Sequence, residues 1–498
     1  MIQANPLIHF KSLGTSLNYV FQGNSGELFQ VACDQTFGKL MRLYAGLSDS
    51  PVPIHELQRL ASDMGIEVDT LRSLLLSDDL PPILENEYED PRFLESIQGH
   101  QRLFFVFPSY DCNLNCAYCT YSGLYPKERD HQPVKMDDQA AQSCIGIILE
   151  NSCKVSGANV VFYGDEPLIN FPAITTIVEG LQAANNRFSF QIVTNGLLLD
   201  DEIARYCLKH RIKLQLSVDG PPDIHDRYRR TRGGRATHAK VMGALQRLHT
   251  LDPDYFATMT GIGCTLAPPF DLERVDQWFR EQPLFGSHNG KTGNFSVSVM
   301  NLTGPHTEGK RHPAYLPGDQ EAYNAQARRM FERFSDALLT GEEESVRFLP
   351  TALFEAAFHR FVSRCTETDG HPRRWRHTGE CLPGAGGLAI GADGKLYVCS
   401  SLNLRPIGDT SQGLSLQTLS NQRSHYLEVR NGPCRQCWVN RFCPLCPAAF
   451  KYADDRYLDT LDCASVRELT DNFLTLYIKA TTQTPQRLKQ FLRFANGH

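Results

Sequence analysis

The sequence predicts an α/β fold built on a parallel sheet. From Leu103 onward, short apolar runs typical of buried strands alternate with amphipathic helical stretches such as Asp137–Glu150 and His238–Leu251. Repeated strand–helix units form a parallel sheet, curved or closed, that binds ligands at the C-terminal ends of its strands. We predict six such strands: Leu103–Phe107, Asn159–Tyr163, Phe188–Val193, Lys213–Val218, Met259–Thr265 and Phe295–Met300.

Length and composition indicate an ordinary globular protein. A chain of 498 residues suggests about three domains, and its 41% hydrophobic and 21% charged residues are typical of folded proteins. A net charge of -6 gives no argument for nucleic-acid or anionic-membrane partners. No apolar run approaches the ~20 residues of a membrane helix, and the N-terminus lacks a signal-peptide pattern. We therefore expect a cytoplasmic protein without nucleic-acid or membrane partners.

Cysteine usage is the unusual feature of the composition. The chain has sixteen cysteines, and ten of them fall into two groups, one near Cys112 and one between Cys381 and Cys463. The reducing cytosol disfavours a disulfide framework. Metal or cluster ligation is the natural explanation of this grouping.

The first group, Cys112, Cys116 and Cys119, directly follows the first predicted strand with C-x3-C-x2-C spacing. Four thiolates normally hold a four-iron cluster, so three would leave one iron open to a small molecule. A zinc site or simply buried cysteines are the alternatives. The position of the triplet, after a strand and ahead of five further strand–helix signals, favours the cluster.

This triplet resembles the signature of the radical S-adenosylmethionine (SAM) superfamily. The resemblance implies a partial (β/α)6 barrel, which we assign to residues 101–310, with SAM and a [4Fe-4S] cluster as cofactors. In that family, the open iron chelates SAM, and electron transfer cleaves SAM to a 5′-deoxyadenosyl radical that removes hydrogen from the substrate. It also implies an external electron donor such as flavodoxin or ferredoxin.

The segment YGDEP, residues 163–167, resembles the GGEP motif of that family. The resemblance implies that Gly164, Asp165 and Glu166 bind the cofactor, with Glu166 holding the SAM ammonium by charge-assisted hydrogen bonds. Asp165 departs from the pattern, so either glycine is not needed there or a second carboxylate faces the ammonium. Thr194 and Asn195, in the TNG that ends the third strand, are further cofactor-binding candidates.

The segment LSVDGPPDIHDRYR follows the fourth strand and resembles the family's serine and downstream arginine. By this resemblance, Ser217 contacts the ribose or methionine part of SAM, Arg229 its carboxylate and Tyr118 the adenine, and Asp219 joins the cofactor-binding set. Taken singly, each residue is equally well explained by turn chemistry or surface charge. Their order along consecutive strand ends favours a SAM site. No catalytic acid or base is predicted.

The second cysteine group follows a predicted hairpin, GADGKLYVC, with Asp393-Gly394 at its turn. A zinc ribbon is the alternative explanation, but seven cysteines fit poorly into one tetrahedral site. The arrangement resembles the SPASM domain of peptide-modifying radical SAM enzymes, which we assign to residues 376–470. The resemblance implies two auxiliary clusters, hence three [4Fe-4S] clusters in all, with an inner set of Cys381, Cys399 and Cys446 and an outer set of Cys434, Cys437, Cys443 and Cys463.

Two departures from the SPASM pattern concern these ligands. Two residues, Pro444 and Leu445, separate the last close pair where the family commonly has three. An extra cysteine that completes the inner set in some members is missing from Leu382–Ile390. The inner cluster therefore has an open iron, which could bind a substrate thiolate, or it uses Cys365.

Residues 1–80 are predicted to form a winged-helix-like domain of three strands (Leu7–Leu13, Leu17–Phe21, Leu28–Val31) followed by three helices. Fourteen acidic against six basic residues within positions 1–98 disfavour DNA binding. The domain resembles the peptide-recognition domains of ribosomal peptide maturases. This implies that a leader peptide adds as a strand in a groove between Leu28–Cys33 and Val68–Leu76. A structural cap is the alternative.

The remaining segments are a linker at 81–100, a helical connector at 311–375 and a C-terminal helix at 471–498. We expect the five cysteines that match no ligand pattern to be buried structural residues: Cys33, Cys144, Cys153, Cys207 and Cys264. The expected function is maturation of a peptide with a leader segment, installing thioether or carbon–carbon cross-links. The alternatives are formylglycine-type side-chain oxidation, as in sulfatase maturation, and a non-enzymatic zinc scaffold.

Overall fold

The computed structural model describes most of the chain. The described residues are 8–13, 18–22, 28–31, 34–46, 54–76, 85–123, 130–184, 187–286, 295–299, 316–342, 348–366, 387–400, 406–440, 442–443 and 463–495. None of the helices in these ranges has the length and apolar character that a bilayer crossing requires.

The N-terminal region begins with a three-stranded antiparallel sheet in the order β1-β2-β3. Its strands are β1 (Ile8–Ser12), β2 (Asn18–Gln22) and β3 (Leu28–Val31). Three helices follow: α1 (Asp34–Gly46), α2 (Ile54–Met64) and α3 (Val68–Leu76). This is the order of elements that the sequence predicts.

Strand β2 is buried on both faces. Val20 belongs to a small core formed with the three helices, which includes Leu40 and Leu60. Tyr19 and Phe21 belong instead to the main core of the protein. Because successive strand residues point to opposite faces, β2 joins the N-terminal helices on one side to the rest of the chain on the other.

Part of the predicted linker packs against the C-terminal region. It contains a 3-10 helix (Glu87–Glu89) and α4 (Pro91–Ile97). Tyr88 is buried and meets Phe93 edge to face, with ring centroids 5.5 Å apart. The Nδ2 of Asn86 donates to the hydroxyl of Ser424 at 2.8 Å. The acidic, proline-containing composition of this segment masks these contacts in the sequence.

The central sheet has ten strands in the order β13-β12-β11-β10-β4-β5-β6-β7-β8-β9. The six predicted strands lie side by side in sequence order and pair in parallel, which confirms the α/β fold. Their bounds are β4 (Leu103–Val106), β5 (Ala158–Phe162), β6 (Phe188–Thr194), β7 (Lys213–Ser217), β8 (Thr260–Leu266) and β9 (Phe295–Val299).

Eight helices connect these six strands within the described residues. Several begin at an aspartate whose side chain accepts a backbone N–H, as Asp137 does from Ala140 at 2.7 Å. Their bounds are α5 (Asp138–Asn151), α6 (Phe171–Ala184), α7 (Asp201–Lys209), α8 (Pro222–Tyr228), α9 (His238–Leu251), α10 (Pro253–Met259), α11 (Leu272–Glu281) and α12 (Pro283–Gly286).

The predicted cysteine-region hairpin is present and extends the central sheet. Its strands β10 (Leu388–Ile390) and β11 (Lys395–Tyr397) pair antiparallel around Gly394, which has φ +75°. Strand β10 also pairs in parallel with β4, the strand that precedes the first cysteine group. Two further strands follow, β12 (Gly408–Asp409) and β13 (Gly413–Leu414).

The remaining helices pack against one another through aromatic side chains. The ring of Phe361 lies 4.8 Å from that of Phe442 and 5.9 Å from that of Phe473. These helices are α13 (Asp319–Thr340), α14 (Leu349–Thr366), α15 (Leu416–Asn431), α16 (Cys463–Gln483) and α17 (Pro485–Ala495), with a 3-10 helix at Pro433–Gln436.

Candidate active site

The three cysteines of the first group lie in the loop that follows β4. They form a small apolar cluster with Leu114 and Tyr118, in which Cys112 and Cys116 are buried. Backbone amides approach two of the sulfurs: the N–H of Leu114 lies 3.4 Å from Sγ of Cys112, and that of Tyr121 lies 3.4 Å from Sγ of Cys119. Amide donors aimed at sulfur are typical of iron–sulfur sites.

The electrostatics of this loop disfavour free thiolates. Burial raises the pKa of Cys116 to about 11 and that of Cys119 to about 12. Burial also raises the pKa of Cys112, and the nearby Glu166 carboxylate raises it further. Three thiolates here therefore need a cationic partner, and iron fits that requirement.

In the ranges that the structure describes, no three His, Cys, Asp or Glu side chains converge as they would on a single metal ion. A four-iron cluster has a different requirement, because its thiolates bind separate irons. Three thiolates from one loop match the donor set of a cluster with one iron left for another ligand.

A segment after α8 holds the cysteine loop. The N–H of Asn115 donates to the carbonyl of Arg230 at 2.8 Å. The carboxylate of Asp111 accepts the N–H of Cys112 at 2.9 Å and also pairs with Arg232. The sequence gives no signal for Asp111 and Arg232, because isolated charged residues in loops are common.

Glu166 is fully buried at the end of β5. Its Oε1 accepts from the hydroxyl of Thr194 at 2.6 Å and from the N–H of Leu168 at 3.1 Å, and its Oε2 accepts from the N–H of Asn195 at 2.8 Å. A carboxylate has about four lone-pair positions, so these three donors leave one open. Burial raises the pKa of Glu166 to about 7, although the three hydrogen bonds lower it.

The two residues before Glu166 have different structural roles. Gly164 has φ +111°, and a Cβ there would lie 2.2 Å from Cδ1 of Phe107, so only glycine fits. The carboxylate of Asp165 is buried and pairs with Nδ1 of His131. His131 lies in a segment that passes over the cysteine loop, since its N–H donates to the carbonyl of Tyr121 at 3.0 Å. No motif in the sequence singles out His131.

The end of β6 contacts the first cysteine directly. The Nδ2 of Asn195 lies 3.8 Å from Sγ of Cys112 and donates to Oδ1 of Asn113 at 2.7 Å. Thr194 and Asn195 therefore connect Glu166 to the cysteine loop. The TNG motif thus brings together residues that are far apart in the sequence.

Tyr118, Asp219 and Arg229 form one network. Oδ2 of Asp219 accepts from the hydroxyl of Tyr118 and from Nε of Arg229 at 2.8 Å, while Oδ1 accepts the N–H of Thr265 at 2.9 Å. The guanidinium of Arg229 lies 5.4 Å from the centre of the Tyr118 ring. Ser217 is half-buried at the end of β7. Tyr118 of the cysteine loop is thus in contact with two other predicted cofactor-binding residues, Asp219 and Arg229.

His225 supports this network from behind. Its Nδ1 accepts the N–H of Asp219 at 3.2 Å, and its Nε2 donates to the hydroxyl of Thr237 at 3.1 Å. That hydroxyl donates to the carbonyl of Arg229 at 2.6 Å. Burial lowers the pKa of His225 to about 4, so the imidazole is neutral in the folded protein.

The second cysteine group is described in part. Cys381 and Cys446 lie outside the described residues, and Cys399 is half-buried after β11. Burial raises the pKa of Cys434, the Arg430 guanidinium lowers it, and the thiols of Cys443, Cys437 and Cys463 raise it further. Three cysteines of the predicted outer set therefore lie close enough to Cys434 to influence its charge.

The other cysteines differ in their surroundings. Cys365 is buried on α14, and its link to the inner set stays a prediction. Cys144, Cys207 and Cys264 are buried, as predicted. Cys153 is exposed, so the prediction that it is buried is wrong: it follows the C-terminal end of α5 in a surface turn. Cys33 lies outside the described residues.

The predicted peptide groove lies between β3 and α3. Phe29 of β3 is half-buried, Gln30 is exposed, and Leu71 and Leu74 of α3 are buried in the small N-terminal core. Within the part of the chain that the structure describes, β3 pairs with β2 alone.

Comparisons with known proteins support a SAM and iron–sulfur site at these strand ends. Residues 106–269 match the model of the Radical SAM superfamily. The cysteine-type anaerobic sulfatase-maturating enzyme of Clostridium perfringens strain 13 is 30% identical over 248 residues, which cover 48% of this chain and 62% of that protein. The radical SAM cyclopropyl synthase TigE of Paramaledivibacter caminithermalis is 29% identical over 149 residues, covering 28% of this chain and 32% of that protein.

The chain spans less than two thirds of these two curated relatives' length. A solved structure of native anSMEcpe with bound AdoMet and the Cp18Cys peptide shares the fold, with a TM-score of 0.57 and 18% identity over 79% of this chain and 99% of that chain. The family match contains the cysteine triplet and the strand-end motifs described above, and this family uses a four-iron cluster and SAM. Residues 106–269 of this chain therefore form a radical SAM domain, and the chain is similar to a sulfatase-maturating enzyme and to a radical SAM cyclopropyl synthase.

Proposed function

We propose that this enzyme is a maturase that removes hydrogen from a ribosomally made peptide and forms an intramolecular thioether or carbon–carbon cross-link. The observation that carries this proposal is the docking of the N-terminal sheet on the cysteine-rich region. Phe21 of β2 packs against Trp438 and Phe442, with ring centroids 6.3 Å and 5.5 Å apart. A sheet that can take up a peptide strand is thus attached to the region of the auxiliary cysteines.

The primary site consists of Cys112, Cys116 and Cys119 as cluster ligands. When bound, the cluster and SAM supply the 5′-deoxyadenosyl radical that takes hydrogen from the substrate. Glu166 accepts the SAM ammonium with its remaining lone pair. Among the described contacts, Arg229 donates to the Asp219 carboxylate through Nε, which leaves the terminal N–H groups of its guanidinium for the SAM carboxylate.

Other residues of the site shape the cofactor pocket. The hydroxyl of Tyr118 donates to Asp219, and its ring faces the Arg229 guanidinium. We place this ring near the adenine of SAM. Ser217 at the end of β7 contacts the ribose or the methionine part. Gly164 keeps the backbone close to Phe107, which a side chain would prevent. We assign these residues to binding and orientation of the cofactor, which place its reactive atoms against the substrate.

We assign two further [4Fe-4S] clusters to the cysteine-rich region. The proximity of Cys434 to Cys437, Cys443 and Cys463 supports the outer ligand set. The inner set comprises Cys381, Cys399 and Cys446, with an open iron or Cys365 as the fourth position. An auxiliary cluster would bind the substrate or accept its electron, and an external flavodoxin or ferredoxin would supply the reducing electron.

We place the leader of the substrate along β3, between that strand and α3. An added strand gains backbone hydrogen bonds along the edge, and side chains such as Phe29 provide apolar contacts. The opposite edge strand, β1, is engaged by the C-terminal region through His9 and Lys11. This contact favours β3 as the edge for a peptide.

Side-chain oxidation of the formylglycine type is the second candidate function. It is favoured by the sulfatase-maturating relative, which matches 48% of this chain. It is also favoured by the shared fold with anSMEcpe, a structure that contains a bound peptide. A substrate bound by the barrel alone would not need the N-terminal sheet.

The test uses the full chain, purified and reconstituted anaerobically, with SAM, a reductant and the peptide encoded beside its gene. Loss of two hydrogens without a hydrazide-reactive aldehyde supports cross-linking, and an aldehyde supports side-chain oxidation. A leaderless peptide should react poorly if β3 captures the leader. Metal analysis that finds zinc, but neither iron nor labile sulfide, would contradict both enzymatic functions and support a zinc scaffold.

A further inference from the structure

Helix α16 connects the predicted outer cysteine set to the N-terminal sheet. The helix begins at Cys463, and Arg467 and Asp471 follow at intervals of four residues, so all three lie on one face. Nη2 of Arg467 lies 3.8 Å from Sγ of Cys437. The carboxylate of Asp471 accepts from Nε2 of His9 at 2.9 Å and also pairs with Lys11. One helix face therefore contacts the cysteines and β1.

The position of Arg467 is fixed on both sides. One turn before it, Cys463 belongs to the predicted outer set, and one turn after it, Asp471 is held by two side chains of β1. Trp438, directly after Cys437, stacks on His9 with ring centroids 4.0 Å apart. The strand β1 thus holds both the helix that carries Arg467 and the segment that carries its sulfur partner.

A guanidinium beside a cluster thiolate changes the reduction potential of the cluster. One-electron reduction adds a negative charge to the cluster and its thiolates. A cationic N–H donor to sulfur stabilises the reduced form more than the oxidised form, which raises the reduction potential. Arg467 and Cys463 are both exposed, so this side of the predicted outer set faces water. The guanidinium of Arg467 lies against the sulfur of Cys437 on this side.

We propose that Arg467 is a positioning residue of the outer auxiliary cluster, which raises its reduction potential by donating to the thiolate of Cys437, and that β1 holds it in place through Asp471. The inference rests on the outer ligand set of the proposed function. It assigns to the N-terminal sheet a second role, that of a brace for the outer cluster.

The test compares Arg467→Gln, which removes the charge, with Arg467→Lys, which keeps it. Lys479→Gln is the matched control, because Lys479 is exposed on the same helix and far along it from the cysteines. The full chain carries Ala at positions 112, 116 and 119, so that signals come from auxiliary clusters alone. Iron and sulfide content and a redox titration followed by electron paramagnetic resonance are measured for each variant.

We expect Arg467→Gln to shift one auxiliary potential to a more negative value or to lose one cluster's iron. Arg467→Lys should retain the cluster and most of the potential, and Lys479→Gln should match the parent. Full iron content with unchanged potentials in Arg467→Gln overturns the inference, as does an equal loss of cluster in Arg467→Lys. A parent protein without auxiliary clusters would instead contradict the proposed ligand sets, so the two failures are distinguishable.

Discussion

The imidazole of His9 lies parallel to the indole of Trp438, with ring centroids 4.0 Å apart and an interplanar angle of 6°. This stack joins the first strand of the chain to the residue that follows Cys437. Nε2 of the same imidazole donates to the carboxylate of Asp471, which also receives Lys11. The N-terminal sheet is thereby an integral part of the cysteine-rich end of the molecule.

The first prediction concerns Asp471. Replacement by Asn removes the charge that holds both His9 and Lys11, so we expect a loss of about 1–3 kcal/mol in the free energy of unfolding. Urea denaturation and hydrogen exchange of β1 measure this effect. Glu468→Gln, on the same helix as Asp471, is the control, because the exposed pair of Glu468 with Arg328 of α13 should be worth about 0–1 kcal/mol. Equal small losses in both variants would contradict the docking of β1.

The second prediction concerns Gly164. Ala there places Cβ 2.2 Å from the buried ring of Phe107 and keeps a strained φ of +111°. We expect a loss of more than about 2 kcal/mol in stability and weaker SAM binding. Gly146→Ala is the control, since this exposed helical glycine has open space and should gain about 0.5–1 kcal/mol. Unchanged SAM affinity with normal stability in Gly164→Ala would contradict this role.

The third prediction separates the two roles considered for Asp165. If its carboxylate holds His131, then Asp165→Asn and His131→Gln should each cost about 1–3 kcal/mol of stability, and the double variant little more than either. Denaturation of the four proteins forms a double-mutant cycle. Additive losses would contradict the pairing. A roughly tenfold loss of SAM affinity in Asp165→Gly, with little loss of stability, would show instead that the carboxylate faces the SAM ammonium.

The fourth prediction concerns the pH dependence of stability. His225 has a pKa of about 4 in the folded protein, because burial disfavours its charged form. In the unfolded chain its pKa is about 6.5, so the unfolded state binds more protons between these values and stability falls as the pH is lowered. Asp219, Arg229, His238 and Asp226 face this imidazole and modify the shift.

Between pH about 7.5 and about 5.5, His225 should account for roughly 1 kcal/mol of lost stability. Anaerobic urea titrations at several pH values measure the slope. His225→Gln should flatten it, whereas His55→Gln, which replaces an exposed residue of α2, should leave it unchanged. An equal slope in the wild type and His225→Gln would contradict the neutral, buried imidazole.

The sequence predicts the parallel sheet well because its strands read as short apolar runs, of which β5 is buried at four of its five positions. Runs such as the one that forms β5 contain few polar residues, and the turn motifs follow them directly. The SAM-site candidates are recognisable for the same reason, since strand ends of a parallel sheet meet at one edge. The resemblance to the radical SAM motifs, together with that strand order, thus predicts Glu166, Asn195 and Asp219 as cofactor-binding candidates from the sequence.

Contacts between distant segments are what the sequence does not reveal. The pairing of β10 with β4 depends on backbone hydrogen bonds, which carry no side-chain signature. The pair of Asp165 and His131 joins two loops of ordinary composition. The helix α4 within the predicted linker is stabilised by Tyr88 and Phe93, and its short length gives no clear periodicity.

The central claim is that Cys112, Cys116 and Cys119 hold the cluster that binds and cleaves SAM. The most direct measurement is the yield of 5′-deoxyadenosine from SAM and dithionite with anaerobically reconstituted protein. Wild type and Cys144→Ala, which alters a buried cysteine of α5, should produce it, and the triple Ala variant of the three cysteines should not. Equal yields from the triple variant and wild type, or no product from either, would contradict the account.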